Sequence, residues 1–133
     1  MSATHFLSPA TLPPTANYSH LAIVPHAART IYISGQVPFD ANGALVGKDD
    51  FEAQARQVFA NLETALKAAG AGFGDLVKIG LYVRDMANLP TLRRVRDQFI
   101  DQPNPPTSTL VQVSAFVSPD ILIEIDAIAA VTG

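Results

Sequence analysis

The run Ile121-Leu122-Ile123-Glu124-Ile125-Asp126 sets two carboxylates two residues apart among isoleucines. In a strand, residues two apart share a face, so Glu124 and Asp126 point one way and the isoleucines the other. On the residues alone, such a carboxylate reads as a group at a subunit boundary, capping backbone donors or pairing with a basic side chain. Other chemistry-bearing types are sparse. There is no cysteine, which removes thiol nucleophiles, disulfides and cysteine zinc sites. His5, His20 and His26 lack metal-ligand spacing, and no metal site is expected. Ser34 precedes Gly35 with no histidine base beside it, so it reads as a hydrogen-bonding rather than a nucleophilic serine. Gly70, Gly72 and Gly74 follow a helical pattern instead of preceding one, which makes them turn residues and not a phosphate loop. Arg93, Arg94 and Arg96 form the one basic cluster. It reads as a solvated helix face, with Arg93 and Asp97 paired four residues apart.

These groups must be positioned by a small core. The 133 residues suit a single domain, taken as residues 1–133, and a chain of this length buries roughly two-thirds of its unfolded surface. Apolar residues are 48% and charged residues 16%, which excludes disorder and leaves little polar cover. A net charge of −3 argues against a dedicated nucleic-acid binder. Met1 to His5 has neither the basic nor the apolar region of a signal peptide, and no apolar run is long enough to span a bilayer. A cytoplasmic protein is expected.

The pattern along the chain is β-β-α-β-α-β-β. Residues 1–17, with Pro9, Pro13 and Pro14, read as an irregular lead-in, and 20–24 with 30–37 as a hairpin about Pro25. Asn42-Gly43 marks a tight turn. Phe51, Ala55, Val58, Phe59, Leu62 and Leu66 recur at helical spacing, predicting a helix over about 50–69 capped by Asp49 or Asp50 and ended at Gly70. A strand is predicted over 76–83. A second helix follows Asn88, with Pro90 in its first turn and Leu92, Val95 and Phe99 buried, and two strands follow over 107–117 and 121–131. The expected fold is α+β: a mixed sheet of about five or six strands with two helices on one face. The other face would carry Leu110, Gln112, Phe116, Leu122, Glu124 and Asp126. That mixture suits neither bulk water nor a dry core, and it predicts an oligomer packed around a wet site.

Six collinear blocks then become specific: Asn17-Tyr18-Ser19-His20, Ile33-Ser34-Gly35-Gln36-Val37-Pro38, Gln54 to Leu62, Gly74-Asp75-Leu76-Val77-Lys78, Tyr82-Val83-Arg84-Asp85 and Ile123 to Ala129. In this order, over residues 18–130, the chain closely resembles the RidA/YjgF family of reactive-intermediate deaminases. The resemblance implies a chorismate-mutase-like fold and a homotrimer whose sheets form a central barrel, with ligand clefts between subunits and no metal or cofactor. It implies hydrolysis of small enamines and imines, such as 2-aminoacrylate, to the oxo compound and ammonia. By position Glu124 would hold the attacking water and shuttle its proton, assistance worth roughly 10²–10⁴-fold. Ser34 and the Gly35 backbone would supply hydrogen bonds, Tyr18 a cleft wall, and Leu110 a further substrate-binding position.

One departure bears on activity. Aligning Val111-Gln112-Val113 with the family's Val-x-Val segment puts Ser108 where its deaminases carry a carboxylate-binding arginine. A hydrogen bond to a charged group is worth about 1.5–3 kcal/mol, so its loss costs roughly 10- to 150-fold. Arg93 stands where the family commonly has a cleft asparagine, and it would be the replacement cation. The expected function is therefore imine or enamine hydrolysis with a substrate other than the usual 2-imino acids. The alternative is a non-catalytic metabolite-binding trimer, and an RNA-cleaving protein ranks last.

Overall fold

A computed structural model describes residues 4–101 and 103–132. Met1 to Ala3 of the predicted lead-in, Gln102 and Gly133 lie outside the described residues. The described elements are β1 (His5–Leu7), β2 (Leu21–Ile23), β3 (Arg29–Gln36), α1 (Phe51–Ala68), β4 (Leu76–Val83), α2 (Leu89–Phe99), β5 (Thr107–Gln112) and β6 (Ile123–Val131), with short 3₁₀ turns before β4 and α2. The main sheet has the order β3-β6-β4-β5, with β6 antiparallel to both neighbours and β4 parallel to β5. A separate antiparallel pair joins β1 to β2. The fold is the expected α+β arrangement of two helices and a mixed sheet.

The helices form for the reasons the sequence states. Asp50 caps α1 by accepting from the Ala53 amide at 3.1 Å, and Gly70 closes it with φ +71°. Phe51, Ala55, Val58, Phe59, Leu62 and Leu66 are all buried against β6, β3 and α2. Phe99 of α2 stacks on Phe59 with ring centroids 5.2 Å apart. At the surface Glu52 is shared by Arg94 and Arg56, and their cations hold its carboxyl down at about 2.

Gln54 belongs to one of the six family blocks, and the structure shows what it does. It is fully buried; its Nε2 donates to the carbonyls of Gly47 and Asp120, and its Oε1 accepts from the Leu122 amide. Each of these backbone groups left unpaired would cost about 1–3 kcal/mol. Gln54 thus fixes the entry to β6, two residues before Glu124. Asn61 does the same for the exit of β3, donating to the carbonyls of Val37 and Phe39.

Four expectations are corrected. Segment 20–24 forms no hairpin with 30–37: β2 pairs with β1, inside the lead-in read as irregular, while β3 pairs with β6. The long apolar β6 offers β3 a ladder along most of its length, which the three-residue β2, ending just before Pro25, cannot. The six strands are accordingly divided four and two. Thr107–Val117 is not one strand: β5 stops at Gln112, and residues 113–120 form a loop over the sheet end. The last correction concerns β5's faces. Ser108, Leu110 and Gln112 stand level with Ile79, Leu81 and Val83, so they share the helix-covered face, and Leu110 packs against the core. Thr109 and Val111 are the β5 residues that share the open face with Gly80 and Tyr82.

Candidate active site

The open face of the sheet is built by alternation. Ile123, Ile125, Ala127 and Ala129 of β6 are buried under the helices, which turns Glu124, Asp126 and Ile128 outward. On β4 the buried Ile79, Leu81 and Val83 leave Lys78, Gly80 and Tyr82 on that same open side. The ladder sets Tyr82 beside Glu124, Gly80 beside Asp126, and Lys78 beside Ile128.

Two glycines make room for the acids. Register shifts between Ile33 and Gln36 of β3, so Ser34 and Gly35 together face the single residue Asp126 across the ladder. A Cβ on Gly35 would collide with Glu124 Oε2, and one on Gly80 would collide with Asp126 Oδ1 and crowd the Tyr82 hydroxyl. Tyr82 donates to Asp126 Oδ2 at 3.3 Å. No hydrogen bond to the Glu124 side chain forms among the described residues. Partial burial, and then repulsion from Asp126, push the Glu124 carboxyl above the usual carboxylate range. Asp126 is also the first cause of the raised Tyr82 hydroxyl, with burial second.

Glu124, Asp126 and Tyr82 form the polar floor of a cavity of about 410 Å³. Its walls are Val113, Ala115, Phe116 and Val117, all from the loop after β5. Val117 is 87% exposed and Tyr32, farther along the same sheet, 77%. No basic side chain lines this cavity among the described residues. Lys78 lies one row beyond Asp126 on the same open face, and the two residues line a second hollow of about 210 Å³. Arg84, one residue past β4, forms no ion pair with either acid.

The predicted site residues divide into two groups. Glu124 and Gly35 touch, and Ser34 is exposed beside them on β3. Tyr18 belongs elsewhere: its neighbour Ser19 is tied to the carbonyls of Pro105 and Pro106, and its ring meets His20 edge-on at 5.8 Å. Arg93 is exposed on α2, in the helix layer behind the sheet. Its expected pairing with Asp97 does not form. Asp97 instead accepts from Arg96 and Asn17, and Arg93 makes no hydrogen bond or ion pair among the described residues. Ser108 and Leu110 face the helices, as described above. Asp126 and Tyr82, with Gly80 beside them, are the site positions to which the sequence reading gives no role. The i, i+2 spacing of Glu124 and Asp126 carried the signal for the first, and the alternation through Leu81-Tyr82-Val83 for the second.

A pocket of this kind can hold a water or an amine nitrogen on Glu124 and shelter an apolar group against the loop. The described residues contain no group of three or more histidine, aspartate or glutamate side chains placed to hold a metal ion. None of their helices is long and apolar enough to cross a membrane.

Comparison with known proteins is consistent in direction. Residues 9–131 match the family model described as Endoribonuclease L-PSP. The chain is 36% identical over 101 residues to a 2-iminobutanoate/2-iminopropanoate deaminase of Salmonella typhimurium, covering 74% of this chain and 77% of that one. It is 34% identical over 121 residues to a 3-aminoacrylate deaminase of Acinetobacter baylyi, covering 91% and 92%. Among solved structures, a protein of the conserved Rid family from Yersinia pestis superposes with a TM-score of 0.88 at 35% identity, covering 96% of this chain and 98% of that one.

Proposed function

Because the chain belongs to the RidA/YjgF family, the Endoribonuclease L-PSP group, we propose that it hydrolyses the C=N bond of a small imine or enamine, with Glu124 as the proton-carrying group. Relatives that bear deaminase names support this reading. The observation that carries it is the Glu124 carboxylate, half-buried against Gly35 with its proton affinity raised by its surroundings.

An imine carbon is already electrophilic, so orientation and a positioned water supply most of what is needed. The water oxygen bonds to that carbon as the C=N π pair moves onto nitrogen, and Glu124 takes the water proton. For the protonated imine, Glu124 returns that proton to the nitrogen of the resulting carbinolamine, and the C–N bond then breaks as the carbinolamine hydroxyl gives its proton to Glu124 and becomes the carbonyl; the proton departs with ammonia as ammonium. A carboxyl shifted toward neutrality serves both directions better than an ordinary glutamate. Ser34 and the Gly35 amide flank this side chain as hydrogen-bond partners for the substrate.

The cleft is shared between subunits of a homotrimer. Tyr18 and Arg93 lie away from the Glu124 cavity within one chain, and the exposed Tyr32 and Val117 leave apolar area for a second copy to cover. The cytoplasm, where pyridoxal-phosphate enzymes release such intermediates, is the compartment this reading implies.

The test is a panel of imines generated in situ, with and without a carboxylate, followed by ammonia release. Wild-type acceleration of any member that disappears in Glu124→Gln supports hydrolysis. No acceleration of any member, with ligands still bound, leaves the metabolite-binding trimer as the function.

A further inference from the structure

Glu124 and Gly35 meet where the β3–β6 ladder runs out. Its last paired residues are Gln36 and Ile125, so Val37 and Glu124 lie one step past the final rung. Beyond that rung the ladder no longer spaces the two strands, yet a single Cβ on Gly35 would fill the place of the Glu124 carboxyl. The contacts that hold the two chain ends together there come from α1.

Residues seven apart on a helix share a face, about 10 Å apart along its axis. Asn61 donates to the carbonyls of Val37, the first residue after β3, and of Phe39. Gln57, one turn earlier, donates to Asn61 Oδ1 at 2.8 Å, which turns the Asn61 amide nitrogen toward those carbonyls. Gln54, seven residues before Asn61, donates to the Asp120 carbonyl and accepts from the Leu122 amide, gripping the chain just before β6. Its remaining bond, to the Gly47 carbonyl, returns to the β3 side, because the Val46 amide donates to Pro38 and closes the loop after β3. One helix therefore clamps both the β3 exit and the β6 entry. Apolar side chains would bury this part of α1 equally well, but only hydrogen bonds fix direction as well as distance. All of these contacts lie within one chain and Gln54 is fully buried, so they hold whatever a neighbouring copy adds to the cleft.

We propose that Gln54 and Asn61 are positioning residues that set the Glu124–Gly35 contact, and with it the placement of the Glu124 carboxyl in the cleft. This rests on the reading of Glu124 as the proton carrier and adds the side chains that hold it in place. Loss of either grip lets the strand ends part, and Glu124 gains water. Burial is the larger cause of its raised proton affinity, so that affinity falls. Asp126 of β6, Tyr82 and Lys78 of β4 and Tyr32 of β3, the other titratable groups of this face, stay as they are.

The test reads Glu124 directly. The chain has three glutamates, Glu52, Glu63 and Glu124, so isotope labelling of glutamate gives three carboxyl resonances by NMR, and Glu124→Gln identifies its own. Gln54→Met and Asn61→Leu remove the grips with little change of volume. In both, the Glu124 titration is expected to move down toward the ordinary carboxylate range. Leu62→Val thins the core on the same helix without touching either grip, and it should lower the melting point while leaving that titration in place. With an imine that wild type hydrolyses, the two grip variants should lose about tenfold to 100-fold in kcat with KM little changed, and Leu62→Val should keep its kcat. A Glu124 titration unmoved in both grip variants, an equal movement in Leu62→Val, or wild-type kcat in both grip variants overturns the proposal. Where Gln54→Met does not fold, the half-buried Asn61→Leu decides alone. The titration needs no substrate: a wild type that hydrolyses no imine ends the hydrolase reading, and the Glu124 resonance still decides the positioning.

Discussion

Gly35 lies so close to Glu124 that a single methyl group on it would occupy the space of the carboxylate oxygen Oε2. The backbone of β3 therefore sets where the Glu124 carboxyl, the proposed proton carrier, sits, and the bulge at Ser34-Gly35 is what aims that backbone. Gly35→Ala is expected to displace the Glu124 side chain and lower turnover by about 100-fold, the usual consequence of moving a catalytic group by an ångström. Gly35 has no positive φ, so the substitution adds no backbone strain of its own. Steady-state kinetics beside a thermal melt checks this: a large loss of rate with a small change in midpoint is the expected pattern.

The environment of Glu124 also makes a statement about pH. Its folded-state proton affinity is raised, by burial first and Asp126 second. A carboxyl raised in this way favours folding while protonated. Its contribution is full below the ordinary glutamate range and is lost as pH rises through the elevated folded value. Wild type should therefore lose stability relative to Glu124→Gln as pH is raised from the ordinary range through that value. Asp126→Asn should move the transition down without abolishing it, since burial, the larger cause, remains. Thermal midpoints of the three proteins across this range give the answer.

Much of this was readable beforehand. The strand at 76–83 and the 51–68 helix follow from their apolar spacing, and the carboxylate pair follows from Ile-Glu-Ile-Asp. What was not readable has a common cause. The segment Thr107-Ser108-Thr109-Leu110-Val111-Gln112-Val113 has no clean alternation, so its own residues do not say which face is which. Pairing with β4 decides it, and that pairing turns Leu110 inward and Thr109 outward. The β1–β2 pair was missed for a similar reason. Two three-residue strands separated by prolines carry too little pattern, and their pairing is set by a long-range ladder.

The facing of β5 yields a prediction that separates two neighbouring positions. An arginine at Thr109 would emerge on the open face, in the row of Gly80 and Asp126. An arginine at Ser108 would start from the row of Ile79 and Ala127, beneath the helices. Thr109→Arg is therefore expected to raise kcat/KM for 2-imino acids by roughly 10- to 150-fold, the worth of one charged hydrogen bond. Ser108→Arg is expected to give less gain and a lower melting point, because its charge begins in an apolar layer. Kinetics with 2-iminopropanoate and melting curves for both variants distinguish the positions.

The last prediction concerns assembly. Within one chain, Tyr18 precedes Ser19, which is anchored at Pro105 and Pro106, and Glu124 lies in the cavity floored by β4 and β6, with no hydrogen bond between Tyr18 and Glu124 among the described residues. If the cleft takes Glu124 from one subunit and Tyr18 from the next, two inactive variants should repair each other. Glu124→Gln and Tyr18→Ala homotrimers are each expected to be poor catalysts. Trimers reassembled from a mixture of both will contain some clefts with a wild-type residue from each side, and these should regain a fraction of wild-type turnover. Sedimentation would first have to show three protomers per particle. Mixed particles no more active than the average of the two parents would place the whole site within one chain.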